Sequence, residues 1–169
     1  MQMQDLQNLF ANADPSTQFF DSKSIFALLG VEDIPQSEKD QMLKDFVTEA
    51  VNRAISRVLA DPAVDEEVKA QIQQVVDSTP NIFKVQEELN SLLPENFVQY
   101  VVDESRLLKL EMSLNNIRET FASVKDNLDE SAQKDFEEIV SLAEESFNQG
   151  DLDKYKEAYE RYDALRKTL

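Results

Sequence analysis

Residues 107–128, LLKLEMSLNNIRETFASVKDNL, decide the fold. Leu107, Leu110, Leu114, Ile117, Phe121, Val124 and Leu128 recur every three or four positions without a miss. That spacing keeps an apolar stripe on one side of an α-helix, and such a stripe needs a partner to cover it. Two more stripes follow. Ala132, Phe136, Ile139, Ala143 and Phe147 keep the rhythm loosely; Leu152, Tyr155, Tyr159, Tyr162 and Leu165 resume it. Residues 126–131 and Asn148-Gln149-Gly150-Asp151 separate the stripes, with Gly150 suited to a left-handed C-cap and Asp151 to an N-cap. Three stripes joined by two short turns can cover each other, which predicts an antiparallel three-helix bundle.

Working back toward the N-terminus, no Gly or Pro interrupts residues 95–127, so a single long helix is expected there. Its pattern shifts register: Val98, Val101, Ser105, Leu108 and Met112 lie beside the Leu107 stripe, not on it. Either the helix breaks near Ser105 or two packing units share it, and sharing is the preferred reading. Before it, the pattern predicts a helix from Asn81 to Leu93 and another from Glu66 to Asp77, capped by Asp65. The helix before those carries the apolar pairs Met42-Leu43, Phe46-Val47, Ala50-Val51, Ala54-Ile55 and Val58-Leu59, with Ser37 as the expected N-cap. A pair every fourth residue winds round a helix, which then meets several neighbours at steep angles. Asp45, Glu49, Arg53 and Arg57 are left for the remaining face. The N-terminal stretch predicts a weak helix over 3–12, a break at Asp14-Pro15, a polar linker holding Phe19 and Phe20, and a short helix over 22–29 closed by Gly30.

The expected fold is all-α: a compact N-terminal helical domain over 1–78, then over 79–169 a helical hairpin and a coiled-coil-like three-helix bundle reached by a long shared helix. Two glycines and five prolines in 169 residues are too few for a sheet protein, and 41% apolar residues suffice for a core.

The stretch Leu28-Leu29-Gly30-Val31-Glu32-Asp33-Ile34-Pro35, then Glu38-Lys39, Phe46 and Arg53-Ala54-Ile55-Ser56-Arg57-Val58-Leu59, resembles a small helical domain family of unknown function. That family is met in proteins predicted from uncultivated, genome-reduced bacteria. Its pattern is a short helix, a Leu-Gly-x-x-Asp-φ-Pro turn and a Glu-rich start to an amphipathic helix. The resemblance covers roughly residues 20–78. The family has no assigned activity or ligand, so the resemblance implies a helical fold and carries over no functional residue.

Composition excludes more than it assigns. The chain has no cysteine and no histidine, which removes zinc fingers, iron–sulfur clusters, thiol chemistry and histidine acid–base catalysis. No nucleophile–base pair or phosphate loop can be found, so the chain is expected not to be an enzyme and to need no cofactor or metal. Glu137-Glu138 and Glu144-Glu145, seven apart, could in principle hold a divalent cation, but a solvated acidic face explains them more simply. The turn at 126–131 fails as an EF-hand, because Leu128 occupies a ligand position and Ser131 stands where Gly is required. No apolar run approaches the roughly 20 residues that span a bilayer, and the start lacks the pattern of a signal peptide. A cytoplasmic protein is expected.

The net charge of −17 argues against direct binding to nucleic acid or anionic membranes and could steer the chain to a basic partner. Residues 126–153 hold ten acidic residues against one lysine, a net −9 and more than half of the total. The expected function is therefore a non-catalytic interaction or adaptor protein that docks another protein by helix faces. Candidate partner-binding residues are Phe10, Phe19 and Phe20 in the aromatic segment, Tyr155, Tyr159 and Tyr162 on the last helix, and Glu137 and Glu138 for steering. Core packing competes with the docking role for the phenylalanines and tyrosines alike. One alternative is an acidic inhibitor that mimics nucleic acid toward a basic partner; another is a structural subunit of a larger assembly, with a homo-oligomer among the arrangements allowed.

Overall fold

The computed structural model describes residues 15–79, 82–89 and 91–168. It is all-α: α1 (Pro15–Ser22), α2 (Ile25–Leu29), α3 (Gln36–Ala60), α4 (Glu66–Ser78), α5 (Ile82–Leu89), α6 (Phe97–Val124), a 3-10 turn (Lys125–Asn127), α7 (Glu130–Gln149) and α8 (Leu152–Arg166). No described helix is long and apolar enough to cross a membrane. The helix expected over 3–12, and Phe10 with it, lies outside the described residues.

Local chemistry accounts for most boundaries. Pro15 opens α1, because a missing N–H costs nothing in a first turn. A helix therefore runs from Pro15 where a polar linker was expected, and Phe19 and Phe20 are helical. The Ser24 hydroxyl accepts from the Ala27 amide at 3.1 Å and sets the start of α2. Gly30 closes it at φ 68°, with its own N–H on the Ala27 carbonyl and that of Val31 on Phe26. The start of α3 differs from the expected Ser37 cap. Pro35, at φ −54°, presets the entry, and its carbonyl accepts from Glu38 and Lys39, so Ser37 is already inside the helix. Asp65, Asp129 and Asp151 cap α4, α7 and α8, and Gly150 takes φ 68° after α7. There is no break near Ser105. Its hydroxyl bonds back to the Val101 carbonyl at 2.7 Å, and α6 passes through.

The chain folds into two compact units. One, the terminal unit, comprises the described residues of 15–33 together with 109–168; the other, the middle unit, is residues 34–108. α6 thus supplies both: Phe97, Tyr100 and Val101 to one core, Leu110, Leu114 and Ile117 to the other. These units divide the chain elsewhere than the boundary expected between residues 78 and 79. Phe20 and Leu28 find their cover among the aromatic residues of α8, while Val85, Leu89 and Phe97 cover the apolar residues of α3 and α4.

In the terminal unit the contacts fix how the helices run. Arg118 meets Glu144 and Phe121 meets Phe136, so α7 runs antiparallel to α6. Phe147 meets Tyr155 and Phe136 meets Tyr162, so α8 runs antiparallel to α7. Tyr155 reaches Leu110 and Tyr162 reaches Asn116, which sets α8 parallel to α6. α1 also packs on α8, with Ser16 bonded to Asp153 at 2.5 Å.

In the middle unit, Ile72, Leu89, Val58 and Ala54 are fully or almost fully buried around one centre. Arg57, expected on the exposed face, is 8% exposed. Its guanidinium lies 4.2 Å from the Tyr100 ring and pairs with Asp103 at 3.5 Å and Glu104 at 3.6 Å, which ties α3 to α6. Removing one partner of a buried pair of this kind leaves an uncompensated charge and is strongly destabilising.

Candidate functional site

The tyrosines of α8 are core residues. Tyr155, Tyr159 and Tyr162 are each 1% exposed, and each hydroxyl is bonded. Tyr155 donates to the Leu110 carbonyl at 3.0 Å, Tyr159 to the Ala27 carbonyl at 3.2 Å, and Tyr162 to Asn116 Oδ1 at 2.6 Å while sharing a bond of 2.9 Å with the Thr120 hydroxyl. Phe20 joins them, its ring centroid 5.5 Å from Tyr155 and 6.0 Å from Tyr159. Phe19 is half-buried, 5.0 Å from Phe20 and 6.0 Å from Tyr159, with the Lys23 ammonium 4.7 Å above its ring and that of Lys156 at 5.1 Å. Burial pushes the Tyr159 hydroxyl up to about 12 and raises Tyr155 further, so both stay protonated near neutrality. Tyr155, Tyr159, Tyr162 and Phe20 are buried here, as the core-packing reading has them and not as the docking alternative requires. An amphipathic stripe carries the same spacing whether its cover comes from the same chain or from another.

The acidic candidates are on the surface. Glu137 and Glu138 are exposed on α7, together with Glu130, Asp135 and Glu145, and Asp126 is exposed in the turn before it. Part of this charge is answered inside the unit: Arg161 lies 3.7 Å from Glu138 and Arg118 lies 2.7 Å from Glu144. Glu137 has a long contact of 3.5 Å from the Gln133 amide. Among the described residues no three acidic side chains converge on a point where a metal ion could be held.

One apolar surface was missed. The first half of α3 carries Met42, Leu43, Phe46 and Val47, and the middle unit's core takes its α3 members only from Val51 onward. Leu43 is 41% exposed and Val47 38%, while Met42 and Phe46 are half-buried. At 3.6 residues per turn the four side chains occupy an arc of about 140° over two turns. Glu38, Asp45 and Glu49 fall in a band about 40° wide along the edge next to Met42. Hydrogen bonds order two of these carboxylates: Gln41 donates to Asp45 at 2.7 Å, and Arg53 to Glu49 at 2.7 Å. The other edge, Asp40 and Lys44, is of mixed charge, and Lys39 stands at the N-terminal end of the face. On α6, Val98 and Val102 are also exposed, on the side away from Tyr100 and Glu104. The sequence signal for the α3 face was present as its first two apolar pairs, but nothing in the pattern separates them from the three pairs that are buried.

Compared with known protein families, curated proteins and solved structures, the chain matches none.

Proposed function

We propose that the protein is a non-catalytic, cytoplasmic binding protein whose contact surface is the α3 face formed by Met42, Leu43, Phe46 and Val47. The observation that carries this reading is the exposure of Leu43 and Val47, one turn apart, on a helix whose later apolar pairs pack into the core. An exposed large side chain is ordinary by itself; a contiguous two-turn patch rimmed by charge marks a contact site. Each such side chain would contribute about 1 kcal/mol or more on being covered, since buried apolar area is worth roughly 25 cal/mol per Å². The absence of cysteine and histidine from the chain supports the non-catalytic part of the reading. The resemblance of residues 20–78 to a helical family with no assigned activity adds no residue to it.

The test is photo-crosslinking in lysate of the source organism. A benzophenone side chain at position 43 should give a discrete adduct, whereas the same group at exposed Ser56 on the same helix should not. Equal labelling from both positions would remove the face from consideration.

The exposed carboxylates of α7 favour a second reading, an acidic competitor for a basic, nucleic-acid-binding partner. Binding of that kind should fall steeply with salt and should disappear on reversal of Glu137 and Glu138. Docking on α3 should survive both changes.

A further inference from the structure

We propose that the occupant of the α3 face is an amphipathic helix of another protein, with an apolar stripe and Lys or Arg side chains along a single edge. The inference rests on the reading of α3 as a contact surface and specifies the chemistry of what binds there. The apolar part of the site is two ridges of i,i+4 spacing, Met42–Phe46 and Leu43–Val47, the form of surface into which the ridges of a second helix fit. A strand would require a free sheet edge, and the described residues contain no strand.

Charge then narrows the partner. Glu38 and Asp45 form an acidic rail on one edge only, continued by Glu49 in its ion pair with Arg53, while Asp40 and Lys44 cancel on the other. A helix whose cations follow one edge matches the rail and leaves the mixed edge undisturbed, so charge sets its direction as well as its affinity. A second copy of this chain fits poorly, because association would bring together two molecules of net charge −17. The rail's order helps. Asp45 is held by the neutral Gln41 amide, so it loses little freedom when a cation arrives, whereas Glu49 already has the Arg53 cation at 2.7 Å.

The full-length chain should be titrated, by fluorescence anisotropy, with two helical peptides that differ only on one edge. Both carry the same Leu stripe; one edge is Lys, its twin is Glu. The Lys peptide should bind about tenfold or more tightly than the twin, a gap of about 1.4 kcal/mol that narrows as salt rises. Leu43→Ser with Val47→Ser should weaken it at least about tenfold without changing the circular dichroism or melting temperature, since both side chains are exposed. Glu38→Lys with Asp45→Lys should reverse the preference between the twins.

Several results would overturn the proposal, and they separate its failure from that of the underlying reading. Equal binding of both peptides, lost in the Leu43/Val47 variant, would keep α3 as a docking face and remove the cationic edge. Lys-peptide binding that ignores the Leu43/Val47 variant and vanishes with salt would assign it to the acidic surface of α7, against both. Sedimentation showing concentration-dependent self-association that Leu43→Ser abolishes would make a second copy the occupant. Failure of either peptide to bind would reject an amphipathic helix as the partner, while the crosslink at position 43 would still judge the face.

Discussion

The tyrosine stripe of α8 and the paired apolar turns at the start of α3 share an amphipathic spacing and differ in cover. Tyr155, Tyr159 and Tyr162, with polar tips and an arginine nearby, have the composition of an interface and are fully covered. Met42, Leu43, Phe46 and Val47, on the same helix as the buried Val51, Ile55 and Val58, have the composition of a core and remain half-buried or exposed. The difference lies in what each stripe has beside it. α8 is enclosed by α6, α7 and the short helices α1 and α2, which supply rings and carbonyls in register with its hydroxyls. α3 has 25 residues, about 37 Å at 1.5 Å per residue, and the apolar side chains drawn from α4, α5 and the start of α6 meet it only from Val51 onward. Spacing says that a stripe wants cover. Which neighbour reaches it depends on tertiary arrangement.

The largest expected effects test whether the α8 stripe is core. Tyr159→Ala should cost about 3–5 kcal/mol of stability, the range for deleting a buried aromatic, in urea unfolding followed by circular dichroism. Leu43→Ala should stay within about 0.5 kcal/mol. A cost below about 1 kcal/mol for Tyr159→Ala would mean that the stripe is not enclosed, and the comparison would collapse. Within α3 itself, Ile55→Ala should cost about 2–5 kcal/mol and Val47→Ala should again be nearly silent. Similar losses at the two positions would show that the first half of α3 is covered after all.

How much of this was legible in the sequence follows the same division. The all-α class, the caps at Asp65 and Asp151, and the left-handed glycines at 30 and 150 depend on neighbours within a few residues, and the sequence contains those neighbours. The sharing of α6 was also legible, because its register change spans both cores. The assignment of α1 and α2 to α8 was not. It rests on the Ala27 carbonyl accepting from Tyr159 and Arg166, more than 130 positions away. The burial of Arg57 was hidden for the same reason, since Asp103 and Glu104 come from a different helix. Of the candidate site, Glu137 and Glu138 were correctly placed at the surface. For Phe20 and the tyrosines the sequence left core packing and docking both open, because exposure is not a local property.

A smaller effect probes the contact that covers the tyrosine stripe from the α2 side. Gly30 occupies φ 68°, and a Cβ there would run into the Arg166 guanidinium. Gly30→Ala should therefore cost about 1–2 kcal/mol for the left-handed backbone, and more where Arg166 has to move. If Arg166→Ala in that background restored part of the loss, the guanidinium clash would be the cause. No restoration would leave backbone strain alone responsible.

The smallest effect is a pH dependence confined to this end of α8. Asp163 accepts from Arg166 Nε at 2.9 Å and from Lys167 at 2.7 Å, while Arg166 Nη2 also donates to Ala27 at 3.0 Å. Burial alone would raise the Asp163 carboxyl, but the bonds from Lys167 and Arg166 outweigh it and hold the group below its ordinary value of 3.8. A carboxyl lowered by folding stabilises the folded state fully above the unfolded value, and that contribution fades as pH falls below 3.8 through the folded value. Asp163→Asn should thus lower stability by about 1 kcal/mol or less at neutral pH, with the gap to the native chain closing in acid. Paired urea titrations at neutral and acid pH decide the point. A gap that persists unchanged in acid would mean that Asp163 acts by packing or by hydrogen bonds an amide also makes. The tie between α2 and α8 would then rest on Tyr159 and Arg166 reaching Ala27, with no contribution from the carboxylate charge.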